Sequence, residues 1–261
     1  MADRSDKFEL YEEAVHDAGA ELRFIRRAFK AVRGRRPLTF REDFSGPGSA
    51  ACEWARTEPR GRAIAVDIEQ EVLDWGLSHR VARLRPQARR RVRLMNANAL
   101  TVRTKPVDVI AALNFSYWVF KSRSMLLRYF RNARRGLGRD GVLVLDAFGG
   151  YEAGREMQEV TRCRGFTYVW EQACFHPVTG DIECHIHFRF RDGSRIDKAF
   201  VYKWRLWTLP ELQELLAEAG FRRVTVFWEG DDGQGGGNGE FAPETLGDAD
   251  ATWIAYLVAE K

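Results

Sequence analysis

Two adjacent carboxylates followed by small residues make Arg41 to Gly48, REDFSGPG, the stretch of this chain best suited to chemistry. Leu38 to Phe44 reads as a strand, Ser45 to Ser49 as a tight loop and Ala50 to Arg56 as a helix. The unpaired amides of a helix's first turn attract the polar part of a cofactor. Gly46 and Gly48 let backbone approach a ligand where a Cβ would collide. Such loops also close many strands that bind nothing, so the spacing to the next acid matters more. About twenty residues on, Arg62 to Asp67, RAIAVD, is a short apolar run ending in a carboxylate. In a nucleotide-binding α/β unit the second parallel strand delivers its carboxylate there, to ribose hydroxyls. Asp67 also suits an N-cap ahead of a helix over Glu69 to Gly76, and the two roles compete for one side chain.

The elements that would position these groups come in order along the chain. Arg91 to Asn98 reads as a third strand, Val107 to Leu113 as a fourth ending in Asn114, and Gly141 to Phe148 as a fifth after the helical Ser124 to Leu137. Leu209 to Ala219 is an amphipathic helix capped by Gly220, followed by strands Arg223 to Trp228 and Thr252 to Ala259. A nicotinamide-binding fold expects GxGxxG, yet Pro47 interrupts the loop and Ala51 stands at the third glycine. A dinucleotide fold also lacks the closing antiparallel strand.

Taken together, Arg41 to Gly150 resembles the class I S-adenosylmethionine-dependent methyltransferases. The loop departs from DxGxGxG and is similar to the DPFxGxG variant of several amino-methylating members, with Glu42 at the acid, Phe44 at the aromatic, and Gly46 and Gly48 at the glycines. The resemblance implies an α/β fold: a Rossmann-like seven-stranded sheet, last strand antiparallel, with an inserted antiparallel β meander. It implies S-adenosyl-L-methionine as cofactor, held by the loop including Ser45. Either Glu42 or Asp43 would face its amino acid moiety, since strand alternation lets only one point that way. Asp67 would bind the ribose, Ile68 would pack on adenine, and Asn98 with Ala99 would meet the adenine edge. Asn114 and Phe115 would face the sulfonium and the substrate.

Methyl transfer from a sulfonium is mainly a positioning task, so no nucleophile triad or metal need be present. A protonated amine acceptor must first lose a proton, and Tyr117, Asp146 and His176 are the candidate bases. Ser116 and Trp118 extend an aromatic and polar rim for a small organic acceptor. The insertion and last helix resemble the small-molecule N-methyltransferases, including the amino-sugar and glycine types. An RNA or protein methyltransferase would instead need an open basic groove, from Arg80 to Arg93 or Arg155 to Arg164. A non-catalytic binding module would have its acceptor site plugged, by Tyr117, Trp118 or a lid.

The expected organisation is a helical cap over 1–36, a cofactor-binding core over 37–150, a meander over 151–207, and a completing helix and strands over 208–261. The meander, opening at Tyr151, a candidate substrate contact, has three alternating runs, Phe166 to Phe175, Ile182 to Phe190 and Lys198 to Trp207. In its middle strand Glu183, His185, His187 and Arg189 share one face, with Ile182, Cys184, Ile186, Phe188 and Phe190 on the other. Two His at i and i+2 have metal-ligand spacing, but such a row more commonly faces solvent or another subunit, and no metal is assigned. The Gly-rich Glu229 to Asp250 reads as a mobile loop, a lid over the site or a surface excursion, with Asn238, Glu240 and Phe241 its contact residues in the lid reading. A helix over Lys7 to Lys30 would cover the pocket, placing Tyr11 against cofactor or substrate.

The chain has 261 residues, 45% hydrophobic, enough for a substantial core. Its charge is only +4, though Arg clusters at Arg23 to Arg36, Arg80 to Arg93 and Arg131 to Arg139. These fall on helices flanking the sheet, so solvated faces are favoured over a nucleic-acid surface. The four cysteines lack zinc spacing and read as reduced thiols. The start carries no apolar h-region and no membrane span is evident, so a cytoplasmic enzyme is expected, with a homodimer left open.

Overall fold

The computed structural model describes residues 1–15, 18–233 and 236–261. Two helices, α1 (Lys7–Val15) and α2 (Ala18–Arg33), precede the first strand. They take the place of the single helix expected over Lys7 to Lys30; residues 16 and 17 lie outside the described ones. The Rossmann-like core runs β1 (Thr39–Asp43), α3 (Ser49–Thr57), β2 (Arg62–Asp67), α4 (Gln70–His79), α5 (Pro86–Arg89), β3 (Val92–Asn96), β4 (Val107–Ala112), α6 (Arg123–Gly136) and β5 (Leu137–Gly149). Then come β6 (Met157–Arg162), β7 (Phe166–His176), β8 (Asp181–Phe190) and β9 (Arg195–Arg205), followed by α7 (Leu209–Glu218), β10 (Arg223–Asp231), β11 (Gly237–Glu244) and β12 (Trp253–Glu260).

The larger sheet has eight strands in the order β11-β10-β12-β5-β4-β1-β2-β3. Strands β1 to β5 pair in parallel, and β12 is antiparallel to both β5 and β10. The central strands are buried on both faces, which is why GVLVL, and VDVIAA apart from Asp108, read as apolar runs. Chain order reverses between β1 and β4, and the crevice at such a reversal is where open α/β sheets take ligands.

Seven strands were expected; the eighth is β11, which folds back antiparallel on β10. Glycines give GNGEFAPE little strand character of its own. Pairing to the sheet edge and the packing of Phe241 on Phe24 and Tyr256 hold it. Much of the stretch read as a mobile loop is therefore strand. The meander likewise has four strands, not three, in the order β6-β7-β8-β9. The additional strand, MQEVTR, is a largely exposed edge whose polar residues carry no alternation to read.

Helices cover both faces of the large sheet. Leu126, Phe130, Leu212 and Leu216 of α6 and α7 pack on one side, and Leu22, Ile25, Phe29 and Trp54 of α2 and α3 on the other. Ser122 caps α6 by accepting the Met125 N–H, and Thr208 with Glu211 forms a capping box on α7. A third cluster, Phe166, Ile186, Phe188 and Phe190, packs with Leu10 and Tyr11 and so joins the meander to α1. Among the described residues no helix is long and apolar enough to cross a membrane.

Candidate cofactor and acceptor site

Alternation along β1 separates its two acids. Asp43 shares a face with Arg41, and both are fully buried; Arg41 Nη2 lies 2.9 Å from Asp43 Oδ2, which also accepts the Tyr129 hydroxyl at 3.1 Å. Asp43 is thus committed inside the core. Glu42 points to the opposite face, where burial, then the carboxylates of Glu21 and Asp67, hold its pKa well above the ordinary range despite a hydrogen bond from the Ala51 amide. Its Oε2 is buried and has no hydrogen-bond partner.

The loop after β1 is left-handed at Phe44 (φ 60°), Gly46 (φ 52°) and Gly48 (φ 77°). A Cβ on Gly48 would come within 2.9 Å of the Leu94 side chain, so glycine is needed for α3 to pack on the sheet. At Gly46 a Cβ would meet nothing within 4 Å, which leaves open space over the loop. Gly46 donates its N–H to Asp67 Oδ2 at 2.7 Å, and Glu69 donates to Oδ1 at 3.0 Å. The N-cap of α4 is Glu69, not Asp67. Asp67 therefore orders both loops, and each oxygen keeps a lone pair for hydroxyls.

A cavity of about 350 Å³ opens there, lined by Phe44, Asp67, Ile68, Asn98, Ala99, Ser116 and the β9 segment Val201 to Trp204. Ile68 is 62% exposed at its edge. Asn98 Oδ1 accepts the Leu100 N–H at 2.8 Å, so the carbonyl oxygen expected to meet adenine also closes its own turn at the cavity wall.

Behind β4, Asn114 and Phe115 are both left-handed, at φ 54° and 56°. Asp146 accepts their two amides, Asn114 at 2.6 Å and Phe115 at 2.9 Å. Burial pushes its carboxyl up to about 7 although these bonds favour the anion. Tyr117 donates its hydroxyl to the Asp146 carbonyl at 2.7 Å and is fully buried.

Asn114 and Phe115 then line a second cavity, of about 420 Å³, with Tyr11, Phe148, Tyr168, Trp170, Tyr202, Trp204 and Trp253. Its carboxylates are Glu159 and Glu229, joined by Gln172. Tyr202 and Trp204 belong to both cavities and form their shared wall. Tyr11 rests on Phe200, Trp75 Nε1 donates to Asp6 just before α1, and Ser49 and Arg80 donate to Glu12 within it.

Other expected site residues stand elsewhere. Tyr117, Trp118 and Asp146 are buried behind the cavities and line neither, and Tyr151 is 76% exposed. His176 sits at the exposed end of β7, near Cys174. Asn238 turns to the Asp231 carbonyl and Glu240 pairs with Arg27, so neither lines a cavity. The sequence reading missed Glu159, Glu229 and the aromatic wall. A signal existed in the alternation of Tyr168 with Trp170 and of Phe200, Tyr202 and Trp204, aromatic on the face that turns inward.

No protein-family model matches the sequence, and no curated protein matches it. Solved structures do. An S-adenosylmethionine-dependent methyltransferase from Clostridium acetobutylicum ATCC 824 superposes with a TM-score of 0.69 at 17% identity, covering 96% of each chain. CalS10, an amino pentose methyltransferase from Micromonospora echinaspora, gives 0.65 at 15% identity over 97% of each chain. The sugar N-methyltransferase KedS8 from Streptoalloteichus sp ATCC 53650 gives 0.62 at 17% identity, covering 96% of this chain and 92% of that one. With its parallel core, antiparallel closing strand and inserted second sheet, the chain has the fold of the class I S-adenosylmethionine-dependent methyltransferases.

Proposed function

We propose that this chain is an S-adenosylmethionine-dependent methyltransferase whose acceptor is a small, phosphate-free amine. One observation carries the reading: a cofactor-sized cavity at the strand ends shares the wall Tyr202 and Trp204 with an aromatic, acidic second cavity. The residues present suit the cofactor. The unpartnered, buried Glu42 Oε2 suits an ammonium, Asp67 suits vicinal hydroxyls, and exposed Ile68 suits a flat base. When bound, S-adenosylmethionine supplies an electrophilic methyl on a sulfonium.

The rest falls to the chain's own side chains. The clamp of Asp146 on Asn114 and Phe115 fixes the backbone between the cavities, so the acceptor meets a preset wall. Tyr11 of α1 and Tyr202 and Trp204 of β9 form part of the wall of the acceptor cavity. Among the described residues lining the acceptor cavity there are two Glu and no Lys or Arg. Aromatic faces and carboxylates attract an ammonium and repel a phosphate. Glu159 and Glu229 are the groups placed to take the proton an amine must shed before its lone pair is free. The names amino pentose methyltransferase and sugar N-methyltransferase, borne by two structural neighbours, support nitrogen as the atom methylated.

The test is labelled methyl transfer to matched acceptors: an amino sugar, its nucleoside diphosphate derivative, and the analogue with hydroxyl in place of amine. The free amine should be methylated, with the phosphorylated form at least about tenfold poorer in kcat/KM and the hydroxyl analogue inert. Preference for the diphosphate, or turnover of the hydroxyl analogue, would overturn the acceptor assignment.

A further inference from the structure

We propose that Glu171, His185 and His187 form a divalent transition-metal site on the side of the four-stranded sheet turned away from the acceptor cavity. Alternation along β8 sends Cys184, Ile186 and Phe188 inward and His185 and His187 outward. An outward row on a sheet is ordinarily wet, yet His185 is 3% exposed and His187 9%. Glu171 stands directly across from His185 in the β7–β8 register. His185 Nδ1 lies 2.7 Å and His187 Nε2 3.1 Å from the same oxygen, Glu171 Oε2, and one ligand atom of each residue falls within 4.8 Å of the others. Two imidazoles and one carboxylate are a donor set for zinc, cobalt or nickel, and three protein ligands leave a position for water.

The groups behind the ligands match as well. His185 turns its other nitrogen to Glu183 Oε1 at 2.8 Å, the carboxylate–histidine pairing that orients metal ligands. Glu171 Oε1 accepts from Gln158 Nε2 at 2.8 Å, and His187 Nδ1 lies 3.5 Å from Asp197 Oδ1. A bulge between β8 and β9, where Lys198 is left-handed at φ 49°, brings this last segment in. Three carboxylates, Glu171, Glu183 and Asp197, thus surround two imidazoles.

His187 Nδ1 accepts the Lys198 N–H at 3.2 Å, which leaves Nε2 turned to Glu171. Trp170 and Gln172, on either side of Glu171, line the acceptor cavity, so the ion braces that wall from outside.

The chelator-treated full chain is titrated with Zn²⁺ by calorimetry, and its Co²⁺ complex is examined by visible absorption. Saturation at one ion per chain, a raised Tm and a Co²⁺ spectrum without a thiolate charge-transfer band are expected. Glu171→Gln and His187→Gln should each weaken binding at least about tenfold while cofactor binding is retained. No saturable uptake by the unaltered chain, a thiolate band, or unchanged uptake in both variants would overturn the site.

Discussion

Asp146 holds the backbone N–H of Asn114 at 2.6 Å, and through the same carboxylate the N–H of Phe115 at 2.9 Å, so one buried acid clamps two consecutive left-handed residues. Asp146 therefore acts by positioning the wall between the cavities, without touching either cavity itself.

The clamp sets a pH dependence. Burial raises this carboxyl to about 7, so below that pH one oxygen gains a proton and turns a donor toward an N–H that needs an acceptor. Activity should fall as pH drops through about 7, and Asp146→Asn should lose that limb along with at least about tenfold in kcat/KM. The stability trend runs the other way. The folded chain binds this proton more tightly than the unfolded chain between the ordinary carboxylate range, about 4, and about 7, so the Asp146 contribution to stability grows as pH falls through that window. Urea melts of both forms across that range, beside the rate profile, check both signs.

The two acids of β1 should part company on substitution. Glu42→Gln is expected to weaken cofactor binding at least about tenfold with little loss of stability, because its buried Oε2 has no partner to lose. Asp43→Asn strips the fully buried Arg41 of its counter-charge and should destabilise the chain by about 3–5 kcal/mol. Calorimetry with S-adenosylhomocysteine and urea unfolding on each variant separate the effects.

For the ribose and adenine contacts, Asp67→Ala should weaken cofactor binding by at least about tenfold, since it removes the hydroxyl acceptor and frees the Gly46 and Glu69 amides. Ile68→Ser should cost affinity while leaving Tm within a degree or so, because a side chain 62% exposed contributes little to the folded core. Unchanged affinity in calorimetry would remove either assignment.

Glu240→Ala supplies a control on the edge of the sheet. Its exposed pair with Arg27 lies off both cavities, so kcat/KM should stay within about twofold and stability within about 0.5 kcal/mol. A large loss of activity would return this segment to the role of a lid.

Much of the fold was legible because its signals are local. Strands buried on both faces read as apolar runs, Gly46 and Gly48 punctuate the first of them, and the spacing from the loop to Asp67 is that of one βαβ unit. Where local signal was weak the reading erred. The polar β6 and glycine-rich β11 exist through pairing to neighbouring edges, a free energy no window of sequence contains.

Periodicity, turn chemistry and spacing along the chain were enough for the order of the core strands β1 to β5, the glycine loop and the acid at the end of β2. They could not say that Asp43 turns to Arg41 while Glu42 keeps one buried oxygen on the opposite face without a partner, or that Asp146 holds two amides; those came with the folded chain. Folding alone assembled the larger aromatic cavity from Tyr11, Glu159, Trp204 and Glu229, residues from four separate parts of the chain. Which face a side chain shows is set by local alternation, but what it meets there depends on which distant element packs against it, and that packing is a property of the folded whole.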